Sequence, residues 1–384
     1  MQQETPATTA AHGAAVGKTR ADSTTTAAKP AGLGRIVRNV ATWLDAGSGV
    51  ANEIVAEGNS PKRDRVDWLR VLPFVLMHAI CLLVFVVGVS PVAVIVAAAL
   101  YAARMFAVTG FYHRYFSHRS FKTSRAGQFI FAVLGASAVQ RGPIWWAAHH
   151  RHHHAHSDQV HDVHSPVQRG FLWSHMGWFL SRRHFAPDLS RVRDLLHFRE
   201  LKLLDRFDIL VPVALAVGTL LLGMALQRWA PGLHTTGWQM LIWGFFVSTV
   251  VCYHATYTIN SLCHRFGKRR YATADDSRNN AWLALLTFGE GWHNNHHHYP
   301  ASARQGFYWW EVDLTYYGLK LLALLGIIWD LKPVPEHVRA RRIEQRDAAA
   351  STTVERSLAG TSIANTLAAL GDGHPSTVNG PQAS

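Results

Sequence analysis

Four long apolar stretches dominate the sequence and limit what the chain can fold into. They cover residues 70–89, 91–111, 207–227 and 238–259. A helix of about 20 apolar residues is long enough to cross the hydrocarbon core of a bilayer. The sequence therefore predicts an all-α integral membrane protein with four transmembrane helices.

The connections between these stretches predict two hairpins. A tight turn at Ser90–Pro91 joins the first two stretches, and a short loop at 229–236 joins the last two. Both chain ends and the central segment then share one face. Of 38 lysine and arginine residues, Arg228 alone lies on the opposite side. Because cytoplasmic segments carry the excess of positive charge, we expect both termini and the shared face to be cytoplasmic.

The two ends of the chain differ in composition from the middle. They are rich in Ala, Thr and Gly without apolar periodicity, which is typical of disorder. We expect a disordered tail at 1–34, an interfacial segment at 35–65, a membrane domain at 66–335 and a mostly disordered tail at 336–384. The N-terminal tail lacks the apolar core of a secretory signal. Three shorter apolar pieces predict a cytosolic helical cap: 127–140, 171–180 and 316–329.

Charge and cysteine content narrow the function classes. The net charge of +13 is largely explained by the cytoplasmic segments, so nucleic-acid binding is not needed to account for it. Cys81, Cys252 and Cys263 form no CxxC pair, which predicts no disulfide.

Three histidine-rich patches lie on the expected cytoplasmic face. In two of them the offsets i, i+3 and i+4 place three imidazoles on one helix face. In the third patch, His113 and His118 are five residues apart, so an ideal helix misaligns them by about 140° unless it breaks or bends near Phe116–Ser117. The two triplets and a further i, i+4 pair are His150, His153 and His154; His293, His296 and His297; and Asn260 and His264.

Nine histidines are too many for one zinc ion, which usually takes four ligands. They suit two metal ions, and imidazole accommodates Zn, Cu, Fe or Ni. A metal transporter is a distant alternative, because transporters usually place ionisable ligands near the bilayer midplane.

These motifs together resemble the membrane-bound acyl-CoA desaturases of the stearoyl-CoA 9-desaturase type. The matching patterns are HxxxxH, HxxHH, NxxxH and HxxHH, with the flanks "DVHSP", "RGFLWSHMGW" and "EGWHNNHHHYP". The resemblance covers roughly residues 65–335. It implies a diiron centre that uses O2 and two electrons to insert a cis double bond into a saturated acyl chain.

The resemblance also implies a ligand set. One iron would take His113, His118, His150, His154 and His296; the other would take His153, His264, His293 and His297, with Asn260 reaching it through a water. Because removing hydrogen from an unactivated methylene needs a redox-active metal, iron is favoured over zinc. Asp162, His164 and Glu290 are expected to orient the ligands.

Substrate residues are expected in a long apolar tunnel beside the irons. Trp146, Tyr257 and His254 are candidates to line it, and Arg182 and Arg183 to bind the phosphates of coenzyme A. The animal relatives carry an Arg-Asp pair where this chain has Ala148 and His149, so an acyl chain on phospholipid or acyl carrier protein stays open.

The C-terminal "GHPS" lacks a haem signature, so the resemblance implies a separate ferredoxin, rubredoxin or cytochrome donor with its reductase. The nearest alternative is a related diiron membrane hydroxylase acting on alkanes, carotenoids or sterols.

Overall fold

The structure is a computed structural model that describes residues 32–47 and 64–341. Most of the two predicted tails therefore lies outside the described residues. The described part of each predicted tail is mostly helical. One helix begins at Gly32, inside the predicted N-terminal tail, and another covers Glu336–Arg339 at the start of the predicted C-terminal tail.

The described chain is mostly helical. Three segments have π-helical winding: π1 Ala107–Ser117, π2 Trp173–Gly177 and π3 Met240–Val247. Short 3₁₀ turns occupy Arg182–His184, Leu189–Val192 and Pro231–Leu233. The α-helices are α1 Gly32–Leu44, α2 Leu72–Cys81, α3 Val84–Val87, α4 Pro91–Phe106, α5 Arg125–Ala136, α6 Pro143–His156, α7 Pro166–Arg169, α8 Trp178–Leu180, α9 Arg199–Arg206, α10 Leu210–Trp229, α11 Gly237–Gln239, α12 Ser248–Leu262, α13 Ala281–Leu286, α14 His293–His298, α15 Leu314–Leu324 and α16 Glu336–Arg339.

Three continuous helices are long and apolar enough to cross a membrane: Pro91–Ser117, Leu210–Trp229 and Gly237–Leu262. They match three of the four predicted spans. The first predicted span, 70–89, forms a shorter apolar unit over Leu72–Val87, in which a turn at Leu82–Leu83 separates α2 from α3.

Local sequence signals begin the two helices at the predicted hairpins. Ser90 is the N-cap of α4, and Pro91 occupies the first helical position, where a missing N–H costs nothing. The second hairpin ends in a capping box at the start of α11, in which the Thr236 hydroxyl accepts the N–H of Gln239 and the Gln239 amide oxygen accepts the N–H of Thr236.

An aromatic core joins π1 to the shorter helices beside it. Phe111 of π1 stacks on Phe131 of α5, with ring centroids 3.9 Å apart. Gly135 of α5 permits this approach, because a Cβ there would lie 2.1 Å from the Tyr112 ring. A two-residue antiparallel ladder, Lys122–Thr123 with Ile328–Trp329, ties the region to the end of α15. This core fixes π1 beside α6, so the two elements present their histidines to the same space.

Candidate metal centre

The winding of π1 decides how its two histidines meet. Its backbone hydrogen bonds run from i to i+5, and the N–H of His118 donates to the carbonyl of His113 at 3.2 Å. Residues five apart therefore stack, and the Nε2 atoms of the two rings lie 3.1 Å apart. The misalignment expected for an ideal helix is resolved by π-helical winding over Ala107–Ser117 and by the end of that helix at Ser117, where a break or bend was predicted.

Helix α6 is held at its first turn by a carboxylate from α9. The Asp205 carboxylate accepts the backbone N–H of Trp145 at 2.8 Å. N–H groups in the first turn of a helix lack partners within the helix, so this contact fixes where α6 begins.

The short helix α14 is fixed by amide side chains. Asn279 accepts the N–H of Asn295 at 3.1 Å, and the Asn295 side chain donates to the buried Glu311 at 2.9 Å. These contacts order a six-residue helix that carries three of the predicted histidines.

Five imidazoles form a first group. The closest approaches join Nε2 of His118 to Nε2 of His150 at 2.7 Å, and Nε2 of His296 to Nε2 of His154 at 2.9 Å. One nitrogen from each member lies within 4.8 Å of the corresponding nitrogens of the others, and we call these residues group one: His113, His118, His150, His154 and His296.

Four imidazoles form a second group with the same separation limit of 4.8 Å. Nε2 of His264 lies 3.0 Å from Nε2 of His293. Asn260 lines a cavity of about 50 Å³ together with two members, His153 and His293. We call the following residues group two: His153, His264, His293 and His297. Both groups have the membership that the resemblance implies for its two irons.

Four of these imidazoles are oriented by carboxylates. In each case Nδ1 faces the carboxylate and Nε2 points towards the other histidines, which fixes the tautomer of the ring. The pairs are His113 with Glu290 at 2.5 Å, His153 with Asp162 at 3.0 Å, His264 with Asp158 at 2.7 Å and His297 with Asp275 at 2.5 Å.

The donor set fits a pair of metal ions. The Nε2 atoms of His153 and His297 are buried and have no hydrogen-bond partner, although the Nδ1 atoms of the same rings are paired. An unpaired buried nitrogen costs free energy unless something binds it. A metal ion at group two would bind both nitrogens as lone-pair donors.

Burial and mutual repulsion favour the neutral form of four of the five group-one rings. Burial lowers the pKa of His118, His150, His154 and His296 well below its ordinary value, and the neighbouring imidazoles lower it further. In group two the same causes lower the pKa of His293, while burial lowers that of His297 to about 4 against the opposing pull of Asp275. Neutral imidazole is the form that binds metals.

The carboxylates stay ionised at this buried position. Burial alone would raise the pKa of Asp162, but His153 and His164 outweigh it and hold that pKa below its ordinary range. The His297 contact does the same for the pKa of Asp275. Asp162 and Glu290, which were expected to orient the ligands, therefore each contact a histidine ring directly. His164 lies against the ring of His153, 4.3 Å between centroids, and its Nδ1 is 3.7 Å from Asp162.

A larger cavity of about 470 Å³ opens beside group one. Its walls are mostly apolar and aromatic, and they include the predicted tunnel residues Trp146 and Tyr257. Trp146, His150 and Asn260 line both this cavity and the small one between the histidine groups. The apolar space is therefore contiguous with the candidate metal site.

Polar contacts mark the junction between the two cavities. The Gln140 side chain donates to the Thr256 hydroxyl at 3.0 Å and accepts from Trp146 Nε1 at 3.4 Å. Sequence reasoning missed Gln140 and Thr256, since neither belongs to a recognisable motif.

The two arginines predicted for the substrate head group lie in ion pairs. Arg182 pairs with Asp67 at 2.9 Å, and Arg183 pairs with Asp64 at 2.8 Å. Neither arginine lines the large cavity, although the neighbouring His184 does.

His254 does not line the cavity either and instead belongs to a chain of three imidazoles. Its Nε2 lies 3.1 Å from Nε2 of His78, and its Nδ1 lies 2.9 Å from Nε2 of His175. His78 of α2 therefore has an imidazole partner. The chain links α2, α12 and π2 behind the cavity wall.

Asp158 and Asp275 are the two carboxylates beside the histidines that sequence reasoning missed. Asp158 stands directly after the second histidine patch, in "HHHAHSD", so proximity in sequence was an available signal. Asp275 carries no such signal, because it meets His297 only through the fold.

Comparison with known proteins agrees with this geometry. The fatty acid desaturase family matches residues 90–328. An sn-1 stearoyl-lipid 9-desaturase from Anabaena variabilis is 39% identical over 214 residues, which cover 56% of this chain and 74% of that protein. An acyl-CoA 5-desaturase from Anemone leveillei is 37% identical over 227 residues, covering 58% of this chain and 66% of that protein.

A delta-9 acyl-lipid desaturase from Arabidopsis thaliana is 37% identical over 225 residues, covering 58% of this chain and 69% of that protein. The family match spans well over half of the chain and includes every histidine of groups one and two. This chain belongs to the fatty acid desaturase family.

Proposed function

We propose that the protein inserts a cis double bond into a saturated long-chain fatty acyl group, with the 9-position as the expected site. Two hydrogen atoms leave adjacent methylenes of the acyl chain. Together with two electrons and two protons supplied from outside, they reduce one O2 to two waters. The protein would thus act as an oxidoreductase with an external electron donor.

One observation carries this proposal: the apolar cavity adjoins the small cavity that members of both histidine groups line. A saturated chain has no polar group for recognition along its length, so it needs an enclosing apolar surface. Trp146, His150 and Asn260 belong both to that surface and to the small cavity between the groups. A methylene held there would lie beside both groups.

We propose two iron ions as the cofactor, held by groups one and two with Asn260 beside the second. When bound, they would supply the oxidising chemistry that an unactivated C–H bond requires. The chain itself holds the ligand rings: the carboxylates of Glu290, Asp162, Asp158 and Asp275 fix the tautomer that directs Nε2 inward. The aromatic walls exclude water from the reacting methylenes.

We further propose that Leu72–Val87 completes two hairpins with the three longer membrane helices. Because the connection between α3 and α4 is only the short turn that ends at Ser90–Pro91, the two helices lie next to each other. The histidine groups would then face the cytoplasm, as the positive charge distribution predicts.

The acyl carrier is proposed to be a membrane lipid in preference to coenzyme A. Coenzyme A offers several phosphates, which need available cations. The two arginines expected to supply them are paired with Asp67 and Asp64. Relatives are named for both carriers, which makes this a question for direct assay.

The test is expression of the full chain in a desaturase-deficient host, with fatty acids analysed by gas chromatography and mass spectrometry. We expect a new cis-9 monounsaturated acid that is absent for His297→Ala. A hydroxylated chain in place of an alkene would assign the protein to the related hydroxylases. Reconstituted enzyme supplied with either stearoyl-CoA or stearoyl-phosphatidylcholine would then identify the carrier.

A further inference from the structure

The surface next to group two combines exposed tryptophans with positive charge. Trp309 and Trp310 are 81% and 51% exposed. Arg270 and Arg339 lie over the ring of Tyr308, and Arg304 donates to its carbonyl at 2.7 Å. We call this surface the basic tryptophan patch, and it consists of Trp309, Trp310, Arg270, Arg304, Lys332, Arg339 and Arg341.

Most of the positive charge in the patch is uncompensated. Arg270 pairs with the buried Glu311, and Arg339 lies 3.5 Å from the exposed Glu336. Within residues 32–47 and 64–341, Arg304, Lys332 and Arg341 form no ion pair with a carboxylate. The patch therefore favours an acidic partner.

A series of aromatic rings leads inward from this patch. Trp310 stacks on Tyr308 with centroids 4.7 Å apart, and the hydroxyl oxygens of Tyr308 and Tyr271 are 3.4 Å apart. Tyr271 then stacks on His298 at 4.1 Å with the planes only 4° apart. His298 directly follows His297 of group two in the chain.

We propose that the basic tryptophan patch docks a small acidic one-electron carrier protein and that the ring series is its electron path to group two. This inference rests on the proposed function, which requires two electrons per turnover. Electron transfer between proteins falls steeply with distance, so a donor needs a site from which close contacts lead to the metals. Trp310, Tyr308, Tyr271 and His298 provide such contacts.

The main competing occupant is an anionic lipid headgroup. Tryptophan and arginine are both common at membrane interfaces, and a lipid would satisfy the charge alone. A lipid surface gives no reason, however, for a series of aromatic side chains that links the patch to His298, the residue next to His297. That continuity favours the carrier protein.

The docking test measures binding of the full chain in nanodiscs of phosphatidylcholine, which has no net charge. The probes are an acidic [2Fe–2S] ferredoxin and an acidic soluble b-type cytochrome, measured by biolayer interferometry at low and high salt. We expect at least one to bind, with affinity that falls as salt rises. Lys332→Glu combined with Arg341→Glu should slow association about tenfold.

A matched control reverses two exposed charges outside the patch, Arg193→Glu with Lys202→Glu. We expect it to change binding less than about twofold, since such charges act mainly through proximity to the docked partner. Equal weakening by both pairs, or no binding of either carrier to the wild type, would overturn the docking site. Binding to phosphatidylserine vesicles but to neither carrier would assign the patch to lipid.

The path is tested by stopped-flow oxidation of the pre-reduced carrier by iron-loaded protein. Tyr308→Leu removes both the ring that stacks on Trp310 and the hydroxyl that faces Tyr271, whereas Tyr308→Phe removes the hydroxyl alone. We therefore expect transfer about tenfold slower in the first and an intermediate rate in the second. Trp310→Leu gives a second, more exposed break. A wild-type rate in Tyr308→Leu would overturn the path. Because carrier binding is also measured on metal-free protein, these outcomes are separate from whether any alkene forms.

Discussion

At the residue scale, the site depends on carboxylates as much as on histidines. Four imidazoles each present Nε2 to the interior because a carboxylate holds Nδ1. Without that partner a ring can rotate or change tautomer, and its lone pair then points elsewhere. Mutation of a residue that orients a metal-binding histidine commonly lowers metal affinity or activity by about 10–100-fold.

Asp275→Asn tests this role at one of the two shortest contacts. The amide keeps the shape of the side chain but loses the negative charge that holds His297 Nδ1–H. We expect metal affinity at group two to fall about 10–100-fold, measured as iron per protein after dialysis against a chelator. Asp276→Asn, at the neighbouring and more exposed carboxylate, is the control and should retain its iron. Full iron content in Asp275→Asn would contradict the assignment.

The sequence predicted the histidines much better than their partners. Ligands at i, i+3 and i+4 share a helix face, so spacing alone identifies His150, His153 and His154. Asp158 and His264 are 106 positions apart in the chain, and only packing between α6 and the end of α12 brings them together. No periodicity encodes such a contact, which is why Asp158 and Asp275 were missed.

Asp205 gives a prediction about pH. Burial raises the pKa of its carboxyl from 3.8 to about 6, against the opposing effect of the Trp145 N–H. Between pH 3.8 and about 6 the folded state therefore binds more protons than the unfolded state. The free energy of unfolding falls as pH rises through that window, by up to about 3 kcal/mol. Asp205→Asn keeps an acceptor for Trp145 and removes the titration.

We expect the melting temperature of Asp205→Asn, relative to wild type, to rise between pH 4.5 and 7. Thermal unfolding in detergent across this range measures it. The exposed Asp330→Asn is the control and should shift little with pH. A difference between Asp205→Asn and wild type that does not change with pH would show that the carboxyl is already ionised at the lower end.

At the element scale, π1 is the feature that sequence periodicity could not supply. A regular α-helix would place the two rings of HxxxxH on different faces, whereas i→i+5 bonding brings their Nε2 atoms to 3.1 Å. π-Helical winding inside a longer helix is frequent at functional sites, where it re-aims side chains. The packing of π1 against α5 and α6 holds this less favourable winding in place.

Gly135→Ala tests that packing. A Cβ at Gly135 would lie 2.1 Å from the ring of Tyr112, the residue before His113, so π1 must move away from α5. We expect a loss of about 1–3 kcal/mol in stability and a lower iron content in group one. Gly218→Ala, where no atom lies within 4 Å of the added Cβ, is the control. An unchanged melting temperature in Gly135→Ala would mean that the contact relaxes freely.

At the scale of the whole molecule, hydropathy predicted three of the spans and the position of the histidines at their ends. It overestimated the length of the first continuous helix, because Leu72–Val87 is apolar throughout but turns at Leu82–Leu83. Composition records that a segment prefers an apolar environment, whereas the turn depends on how α2 and α3 pack. An apolar tunnel beside the histidines was predicted, but the shape of the cavity depends on side chains from many elements.

The depth of that cavity predicts which acyl chains fit. Its lining residues include Thr42 and Trp43 of α1 and also Ala216 and Phe246, which lie well inside two candidate membrane helices. We expect the methyl end of a long chain to lie beside the membrane helices, so Ala216→Phe should shorten the space for it. We expect the ratio of C16 to C18 desaturation to rise several-fold, measured from product profiles after feeding both acids. Val217→Phe, on the exposed side of the same helix, should leave the ratio unchanged. Equal shifts in both variants, or none in Ala216→Phe, would mean that the methyl end lies elsewhere.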